Sequence, residues 1–331
     1  MHKTLKIIVV AILLACTTSV YAKKTAVKNI TAKKTVIICI NQFIPHPSLN
    51  AVLWGFKEYL SESGMVVKYK EYDAKGKTAI AGQIAAQIAA DKPALVLALG
   101  TPSAQACANA ADTVPQLART PLIFSGITDP LAAGLVKNPS HPVTNITGVS
   151  DQMSMDKHLE MIHRIQPGLK KLGVMYNAAE VNSVATVTRL KEAADKRKIT
   201  LVEAPVASAA DVSRVAESLV GKVDAIYVPT DNTVVSVIEA VVKVCEKARL
   251  PLFSGDISSV KKGVIAALGF DYFRHGRQTA RMATKILTGT KPETLPVEFQ
   301  TDLFLAVNPK AAEKMGLVID KAFLKSADQV F

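Results

Sequence analysis

The segment ALVLALGTPSAQACANA at residues 94–110 decides the fold class, and DAIYVPTDNTVVSVIEAVVKV at residues 224–244 repeats its pattern. In each segment a short apolar run ends at small and hydroxyl-bearing residues, after which a helical pattern begins. Continuous apolar runs of this kind are typical of strands buried on both faces of a parallel sheet. The two segments therefore predict two similar strand-to-helix turns, one in each half of the chain.

These turns place polar side chains at the carboxyl ends of strands, where open α/β sheets bind their ligands. The first turn presents Thr101 and Ser103, and the second presents Thr230, Asp231 and Asn232. A helix N-terminus at each turn offers free N–H groups and the positive end of a helix dipole to an anionic group. Two such edges predict a ligand cleft between two lobes rather than a pocket within one domain.

Strand and helix patterns alternate through both halves of the chain. Each half contains four predicted strands, with a helical pattern between successive strands. The eight strands are expected at residues 35–40, 65–72, 94–99, 121–125, 170–177, 199–206, 224–229 and 251–256. This alternation predicts parallel sheets with right-handed crossovers. The fold class expected is therefore α/β, with two Rossmann-like lobes.

The elements after residue 262 are too few for a third domain, so we expect them to return and complete the two sheets. The first lobe is then predicted at residues 34–147 with 270–300, and the second at 148–268 with 303–331. The chain would cross between the lobes three times, near residues 148, 268 and 302. Three crossings make a hinge that allows the lobes to close.

The first 22 residues have the features of a secretory signal peptide. Lys3 and Lys6 precede an apolar run that is too short to span a bilayer, and a small-residue cleavage site ends at Ala22. A second interpretation stays open, because the sequence LLAC resembles a lipobox that would make Cys16 a lipidated N-terminus. Export to the periplasm is expected in either case.

The formal net charge of +12 overstates the charge of the folded part of the chain. Seven of the 40 lysines and arginines precede residue 35, and subtracting them leaves +5. Residues 23–33 are interpreted as a flexible, solvated leader. The rest of the chain shows no concentrated basic face, so nucleic-acid binding is not expected.

No motif for catalysis, a cofactor or a metal is apparent in the sequence. The three cysteines after Cys16 are odd in number and irregularly spaced, which predicts buried thiols. They are Cys39, Cys107 and Cys245. Gly76 lacks the glycine that a P-loop needs five residues earlier. His158 and His163 do not share a helical face and are expected at the surface. We predict no metal site and no cofactor.

Eight stretches carry a family resemblance: HPSLNAVLWGFKEYL, GTPSAQA, FSGITDPLAAGLV, NITGVSD, GVMYNAAEVNS, LVGKVDAIYVPTDNTV, SGDISSVKKGVIAALGFDYFRHGRQTA and VNPKAAEKMGL. Together they resemble the ABC-transporter substrate-binding proteins of the type I periplasmic-binding fold, and within them the tryptophan/tyrosine-binding subgroup. The resemblance covers nearly all of residues 36–320. It implies a monomer at the membrane periphery that captures an amino acid by hinge closure and delivers it to ABC permease and ATPase subunits, without catalysis.

The resemblance also implies particular ligand contacts. Branched-chain amino-acid receptors share the fold and hold a ligand carboxylate with first-lobe hydroxyl and N–H groups. Thr101 and Ser103 match one of these contacts, and Ser125 and Thr128 match the other. A second-lobe acid holds the ligand ammonium in those receptors; Asp256 matches it, and Asp231 stays open as an alternative.

Other residues at strand ends are weighed individually. Further ligand contacts are predicted at Gln42, His46, Asn177 and Thr230. Asp129 is interpreted as a turn and cap residue, and Asp271 as a brace of the hinge. The aromatic residues Trp54, Tyr176 and Tyr227 are assigned to the core.

Two other functions stay open. A sensor subunit would present its closed form to a membrane signalling protein, and neighbouring permease and ATPase genes would distinguish transport from sensing. An exported enzyme is disfavoured by the missing motifs, and a turnover assay would test it. The ligand is also open among aromatic and branched amino acids, peptides and other small zwitterions.

Overall fold

The computed structural model describes residues 35–331, and these residues form two sheets of mostly parallel strands flanked by helices. The α/β class and the two lobes expected from the sequence are confirmed. The predicted signal peptide, the basic leader and Cys16 lie outside the described residues. Between residues 35 and 331, no helix is both long and apolar enough to cross a bilayer.

The first sheet has six strands that all pair in parallel. They are β1 (Val36–Gln42), β2 (Val67–Asp73), β3 (Leu95–Leu99), β4 (Leu122–Ile127), β5 (Ile146–Ser150) and β11 (Glu298–Phe299). Their spatial order is β11-β5-β4-β3-β1-β2. Because β1, β3 and β4 run side by side in one direction, their carboxyl ends meet at one edge of the sheet.

The second sheet has seven strands and repeats this arrangement. They are β6 (Lys171–Tyr176), β7 (Thr200–Pro205), β8 (Ala225–Val228), β9 (Leu252–Ser254), β10 (Ala266–Gly269), β12 (Phe304–Val307) and β13 (Gln329–Val330). Their spatial order is β13-β12-β10-β9-β8-β6-β7. Only the β10–β12 pair is antiparallel among the described strands, because β12 enters the sheet from the other lobe.

Helices connect the strands and cover both sheets. They are α1 (Pro47–Glu62), α2 (Thr78–Ile88), α3 (Thr101–Thr113), α4 (Pro115–Arg119), α5 (Met155–Ile165), α6 (Val181–Lys196), α7 (Val212–Leu219), α8 (Asn232–Ser236), α9 (Ile238–Ala248), α10 (Tyr272–Leu287), α11 (Pro309–Lys314) and α12 (Lys321–Lys325). Short 3₁₀ turns lie at Ala89–Asp91, Ala209–Asp211, Ile257–Lys262 and Pro292–Thr294.

Helix α10 packs tightly on α1, so it belongs to the first lobe although it follows β10 of the second. A Cβ atom on Gly55 would lie 2.1 Å from the Phe273 carbonyl oxygen, and one on Gly276 would lie 2.0 Å from that of Val52. The chain therefore leaves the first sheet after β5, returns before α10 and leaves again between β11 and β12. The exact lobe boundaries stay a prediction; β5 runs through residue 148 within the first sheet.

Two of the sequence interpretations are wrong. Trp54 is 67% exposed, and its ring packs edge-on against Phe273 rather than in the core. His158 is fully buried in the second lobe, where its Nδ1 lies 2.8 Å from the Tyr227 hydroxyl. The buried face of each helix explains these errors. Helix α1 buries Val52 and Phe56 on the face opposite Trp54. Helix α5 buries His158 on the same face as its apolar residues.

Other interpretations hold. The three thiols predicted to be buried are buried and free. Tyr176 and Tyr227 lie in the core of the second lobe, and His163 is exposed.

Candidate functional site

A small cavity lies where the carboxyl edges of the two sheets face each other. The first lobe and the hinge contribute His46, Ser48, Leu49, Gly126, Thr128, Asp151 and Tyr272, and the second lobe contributes Asn182, Thr230, Asp231, Asn232, Val235 and Asp256. Its volume is about 20 Å³, which is room for about one water molecule. The two lobes are therefore closed on each other.

Polar contacts join the lobes across this cavity. The Ser48 hydroxyl donates to the Asp256 carboxylate, and the hydroxyl oxygens of Thr128 and Thr230 lie 3.3 Å apart. At the outer edge, Arg189 of α6 forms a 2.7 Å ion pair with Asp129, which follows β4. Because each contact has one partner in each lobe, separation of the lobes would break all of them.

Asp231 is held by its own lobe. One carboxylate oxygen accepts the Val234 N–H at 2.7 Å and so caps α8. The other accepts the Asn177 N–H at 2.6 Å and the Ser183 hydroxyl at 2.7 Å. Burial, reinforced by the neighbouring Glu180 charge, raises the pKa of Asp231 to about 7. Both of its oxygens are engaged before any ligand arrives.

Glu180 is a buried acid that the sequence reasoning missed. One carboxylate oxygen accepts the N–H and the hydroxyl of Thr233 at 3.0 and 2.7 Å, and the other accepts the Asn232 N–H at 3.2 Å and its side-chain Nδ2 at 2.6 Å. The acid therefore sits on the first turn of α8, where N–H groups and the helix dipole favour a negative charge. Its position soon after β6, at a strand end, was an available signal.

Asp256 is surrounded by serine hydroxyl groups. One of its oxygens accepts from Ser48 of the other lobe, and the second accepts from Ser258 and Ser259 at 2.6 Å each. The residue is only 2% exposed. Asp256 thus links the lobes in the closed form through hydroxyl groups.

Asp151 is the second acid that the sequence reasoning missed. It follows β5 at the first hinge crossing and accepts the Tyr272 hydroxyl on Oδ2 at 2.8 Å. Its Oδ1 atom is buried and has no hydrogen-bond partner among residues 35–331. We call this atom the open oxygen of Asp151. A buried carboxylate oxygen left without a donor is unfavourable, and a ligand cation would supply one. The rule that selected Thr101, a polar residue after a strand, also fits Asp151.

The structure brings some predicted residues to the cavity and places others behind its wall. His46, Thr128, Thr230, Asp231 and Asp256 line the cavity. The other five do not line it. Ser103 donates to Asn41 at 3.0 Å, and the Ser125 hydroxyl bonds that of Thr279 at 2.7 Å. Gln42 donates to Asn50 and Asn177 to Thr233, each at 2.9 Å, and Thr101 is buried at the start of α3. For these five, ligand contact stays a prediction.

The hinge has its own buried hydrogen bonds. His275 accepts the Gly126 N–H on Nε2 at 3.1 Å, and its Nδ1 lies 3.1 Å from Oε1 of Gln300. Burial lowers the pKa of His275, which keeps Nε2 free to accept. Asp271 caps α10 through the N–H groups of Phe273 and Arg274; its interpretation as a brace of the hinge stays a prediction.

Within the described part of the chain, no three His, Cys, Asp or Glu side chains are grouped as metal ligands. The cavity instead offers carboxylate oxygens, hydroxyl groups and one imidazole within a small volume. This combination suits a small ligand that carries both a cationic and an anionic group.

Comparisons with known proteins identify related chains. A family model described as "ABC transporter substrate binding protein" matches residues 37–331. A "Tyrosine-binding protein" of Clostridioides difficile (strain R20291) is 35% identical over 294 residues, which are 88% of this chain and 84% of that protein.

Solved structures agree with this match. The ABC domain from Streptococcus pneumonia in complex with L-Trp has a TM-score of 0.84 at 32% identity, covering 89% of this chain and 100% of that one. A ligand-free, open substrate-binding protein with adhesive properties from Clostridium difficile has a TM-score of 0.67 at 35% identity, covering 89% and 99%. Solute-binding proteins of 14% and 13% identity share the type I periplasmic-binding fold.

Proposed function

This chain belongs to the family of ABC transporter substrate-binding proteins, and from that premise we propose that it binds an aromatic amino acid in the cavity between its lobes. The observation that carries the proposal is the open oxygen of Asp151. The related tyrosine-binding protein and the L-Trp complex support the choice of an aromatic amino acid.

Asp151 is the proposed partner of the ligand ammonium group. A charge-assisted hydrogen bond from an ammonium to a carboxylate is roughly twice as strong as a neutral one, and water exclusion strengthens it further. Asp256 and Asp231, the two acids expected from the sequence, already accept hydrogen bonds on both oxygens. Asp151 has an oxygen to spare, so it takes precedence over both.

Hydroxyl groups from both lobes are the proposed partners of the ligand carboxylate. Thr128 and Thr230 lie on opposite lobes, with their hydroxyl oxygens 3.3 Å apart. A carboxylate placed between them would accept from both and would join the lobes. The first turn of α3 lies on the same edge and would add the favourable end of its dipole.

Hinge closure is the proposed mode of capture. Because the lobes contact each other across the cavity, they must move apart to admit an amino acid. The higher TM-score with the L-Trp complex than with the ligand-free, open relative, at similar identity, supports a closed arrangement of this chain. A ligand that contacts both lobes binds the closed state better and therefore shifts the population towards it.

The setting proposed is extracytoplasmic. The protein would be exported by its N-terminal segment, with either cleavage after Ala22 or lipidation at Cys16. It would act as a monomer that delivers its ligand to an ABC permease powered by an ATPase. Intact-mass measurement of protein from the native host distinguishes the two mature forms, and retention of Met1 would contradict export.

Two measurements test the function itself. Mass spectrometry of small molecules released from the denatured protein should detect tryptophan or tyrosine. Calorimetric titration of the refolded protein should then show saturable binding of the same amino acid. Release of a sugar or a peptide, or no heat with any aromatic amino acid, would contradict the proposal.

A further inference from the structure

The amide of Asn232 has a fixed orientation in the cavity wall. Its Nδ2 lies 2.6 Å from Oε2 of Glu180, whose two oxygens also accept two backbone N–H groups. Because a carboxylate in such a position only accepts hydrogen bonds, the atom of Asn232 that faces it must be the NH₂ group. The Oδ1 atom of Asn232 therefore faces the other way, towards His46.

The orientation of Asn232 fixes the tautomer of His46 across the cleft. The His46 Nε2 atom lies 3.4 Å from Asn232 Oδ1, and an amide oxygen has no proton to donate. Nε2 must therefore carry the proton. Burial lowers the pKa of His46, although the nearby Asp256 and Glu180 charges oppose this shift. The ring is therefore neutral, and Nδ1 has a lone pair.

This lone pair is unsatisfied within the protein. His46 is only 8% exposed, and its Nδ1 atom has no hydrogen-bond partner in the described chain from residue 35 onward. Leu49 and Val235 line the same cavity, so apolar side chains lie there beside the polar ones. Because the Asp151 carboxylate is the stronger partner for the cationic group of a ligand, this neutral acceptor is left for a neutral N–H or O–H donor.

We propose that His46 Nδ1 accepts a hydrogen bond from the ring of the ligand, and that the site therefore selects amino acids whose aromatic side chain bears an N–H or O–H group. This inference rests on the proposed function, since it assumes that an aromatic amino acid enters the cavity. Tryptophan and tyrosine carry the required donor, and phenylalanine does not. An acceptor built into a buried site discriminates because the wrong ligand leaves it unpaired.

The test compares ligands that differ only in the donor. Calorimetry of the ligand-stripped full chain would use L-tryptophan against benzothienyl-L-alanine, in which sulfur replaces the ring N–H, and L-tyrosine against L-phenylalanine. We expect the preferred donor-bearing ligand to bind about tenfold more tightly than its partner. In His46→Phe this ratio should fall to about one, whereas His46→Gln, which retains an acceptor, should keep part of it. Exposed His163→Gln is the matched control and should leave the ratio unchanged.

Nitrogen-15 NMR tests the inference on the wild-type protein, so misfolding of a variant cannot affect the result. The His46 signals should show a proton on Nε2 and a shift at Nδ1 when the donor-bearing ligand binds. Equal affinities within each ligand pair, an unchanged ratio in His46→Phe, or a proton on Nδ1 would each overturn the inference while leaving aromatic amino-acid binding intact. Failure of all four amino acids to bind would instead overturn the proposed function, and the inference with it.

Discussion

The two rims of the cavity are built from similar strand-to-helix turns, but their acidic side chains differ in how they are hydrogen-bonded. On the second-lobe rim, both oxygens of Asp231 and of Glu180 accept hydrogen bonds from that lobe itself. On the first-lobe and hinge rim, by contrast, the acid Asp151 and the imidazole of His46 each keep one buried polar atom without a hydrogen-bond partner in the part of the chain that is described. On the second-lobe rim, the amide oxygen of Asn182 is such an atom, but the acids are not.

The difference separates two tasks. Acids whose hydrogen bonds are satisfied within their own lobe, such as Asp231 and Glu180, are preorganised, so binding requires little further ordering of that part of the wall. A rim with unsatisfied acceptors gains most when a ligand supplies donors. We therefore expect changes on the first rim to alter affinity, and changes on the second rim to alter stability.

The largest expected effect is on ligand affinity at the first rim. Asp151→Asn keeps the shape but removes the negative charge that faces the ligand ammonium. The loss should be about 3 kcal/mol, or roughly 100-fold in Kd, by calorimetry with the amino acid that the native protein carries. The melting temperature without ligand should hardly change. Asp195→Asn on the exposed face of α6 is the control; a similar Kd for Asp151→Asn and wild type would show that the ammonium binds elsewhere.

The matching change on the second rim should act on stability. Asp231→Asn turns an acceptor that receives the Asn177 N–H and the Ser183 hydroxyl into a donor. We expect a destabilisation of about 2 kcal/mol, which corresponds to a fall of about 3 °C in melting temperature for a chain of this size. Affinity measured well below the melting temperature should stay within a few-fold of wild type. A large loss of affinity with unchanged melting would reverse the roles given to the two rims.

A smaller effect should follow from the buried His158 below the second rim. Burial lowers its pKa from 6.5 to about 4. Below pH 6.5 the unfolded chain binds a proton that the folded chain excludes, so its contribution to stability is present above pH 6.5 and is lost as the pH falls towards 4. The loss should be about 1 kcal/mol between pH 6.5 and 5.5.

Denaturant titrations of wild type and His158→Gln at both pH values measure this contribution. Glutamine keeps an acceptor for the Tyr227 hydroxyl but does not titrate. The stability difference between the two proteins should therefore change with pH. Parallel curves would mean that the buried ring is protonated in both states or in neither.

The smallest effect is expected from the ion pair that spans the rims. Arg189 and Asp129 are partly exposed, and pairs of this kind contribute about 0.5 kcal/mol. Arg189→Gln should weaken ligand binding about twofold, and added salt should weaken wild-type binding by a similar factor while leaving the variant unaffected. Stopped-flow measurement should place the change in the dissociation rate, because the pair forms only after closure. Salt sensitivity that persists in Arg189→Gln would show that this pair does not contribute to ligand binding.

The sequence predicted the strands well because parallel strands buried on both faces are continuous apolar runs, as in 94–99 and 224–229. It also located the polar turns correctly. It did not reveal where each side chain points, since Ser103 and Thr128 both follow strands but only Thr128 reaches the cavity. Orientation depends on the turn geometry and on the partner that a hydroxyl group finds, such as Asn41 for Ser103.

Asp151 and Glu180 show a second limit. Asp151 lies at a crossing, which the sequence interpretation treated as a connection rather than as a strand end with a ligand edge. The role of Glu180 depends on Asn232 and Thr233, more than fifty residues away, and a single sequence carries no signal of such pairing. Trp54 and His158 are different, because helical positions predict both: Trp54 lies opposite Val52, and His158 shares a face with Met155 and Ile162.

The position of Trp54 has a spectroscopic consequence. It is the protein's single tryptophan, and it stands largely in solvent on α1, outside the residues that line the cavity. Its fluorescence should be that of a hydrated indole and should report on the α1–α10 surface. Blue-shifted emission that appears when L-tryptophan is added would then come from the bound ligand itself, so the protein and its cargo could be followed as two separate optical signals in one cuvette.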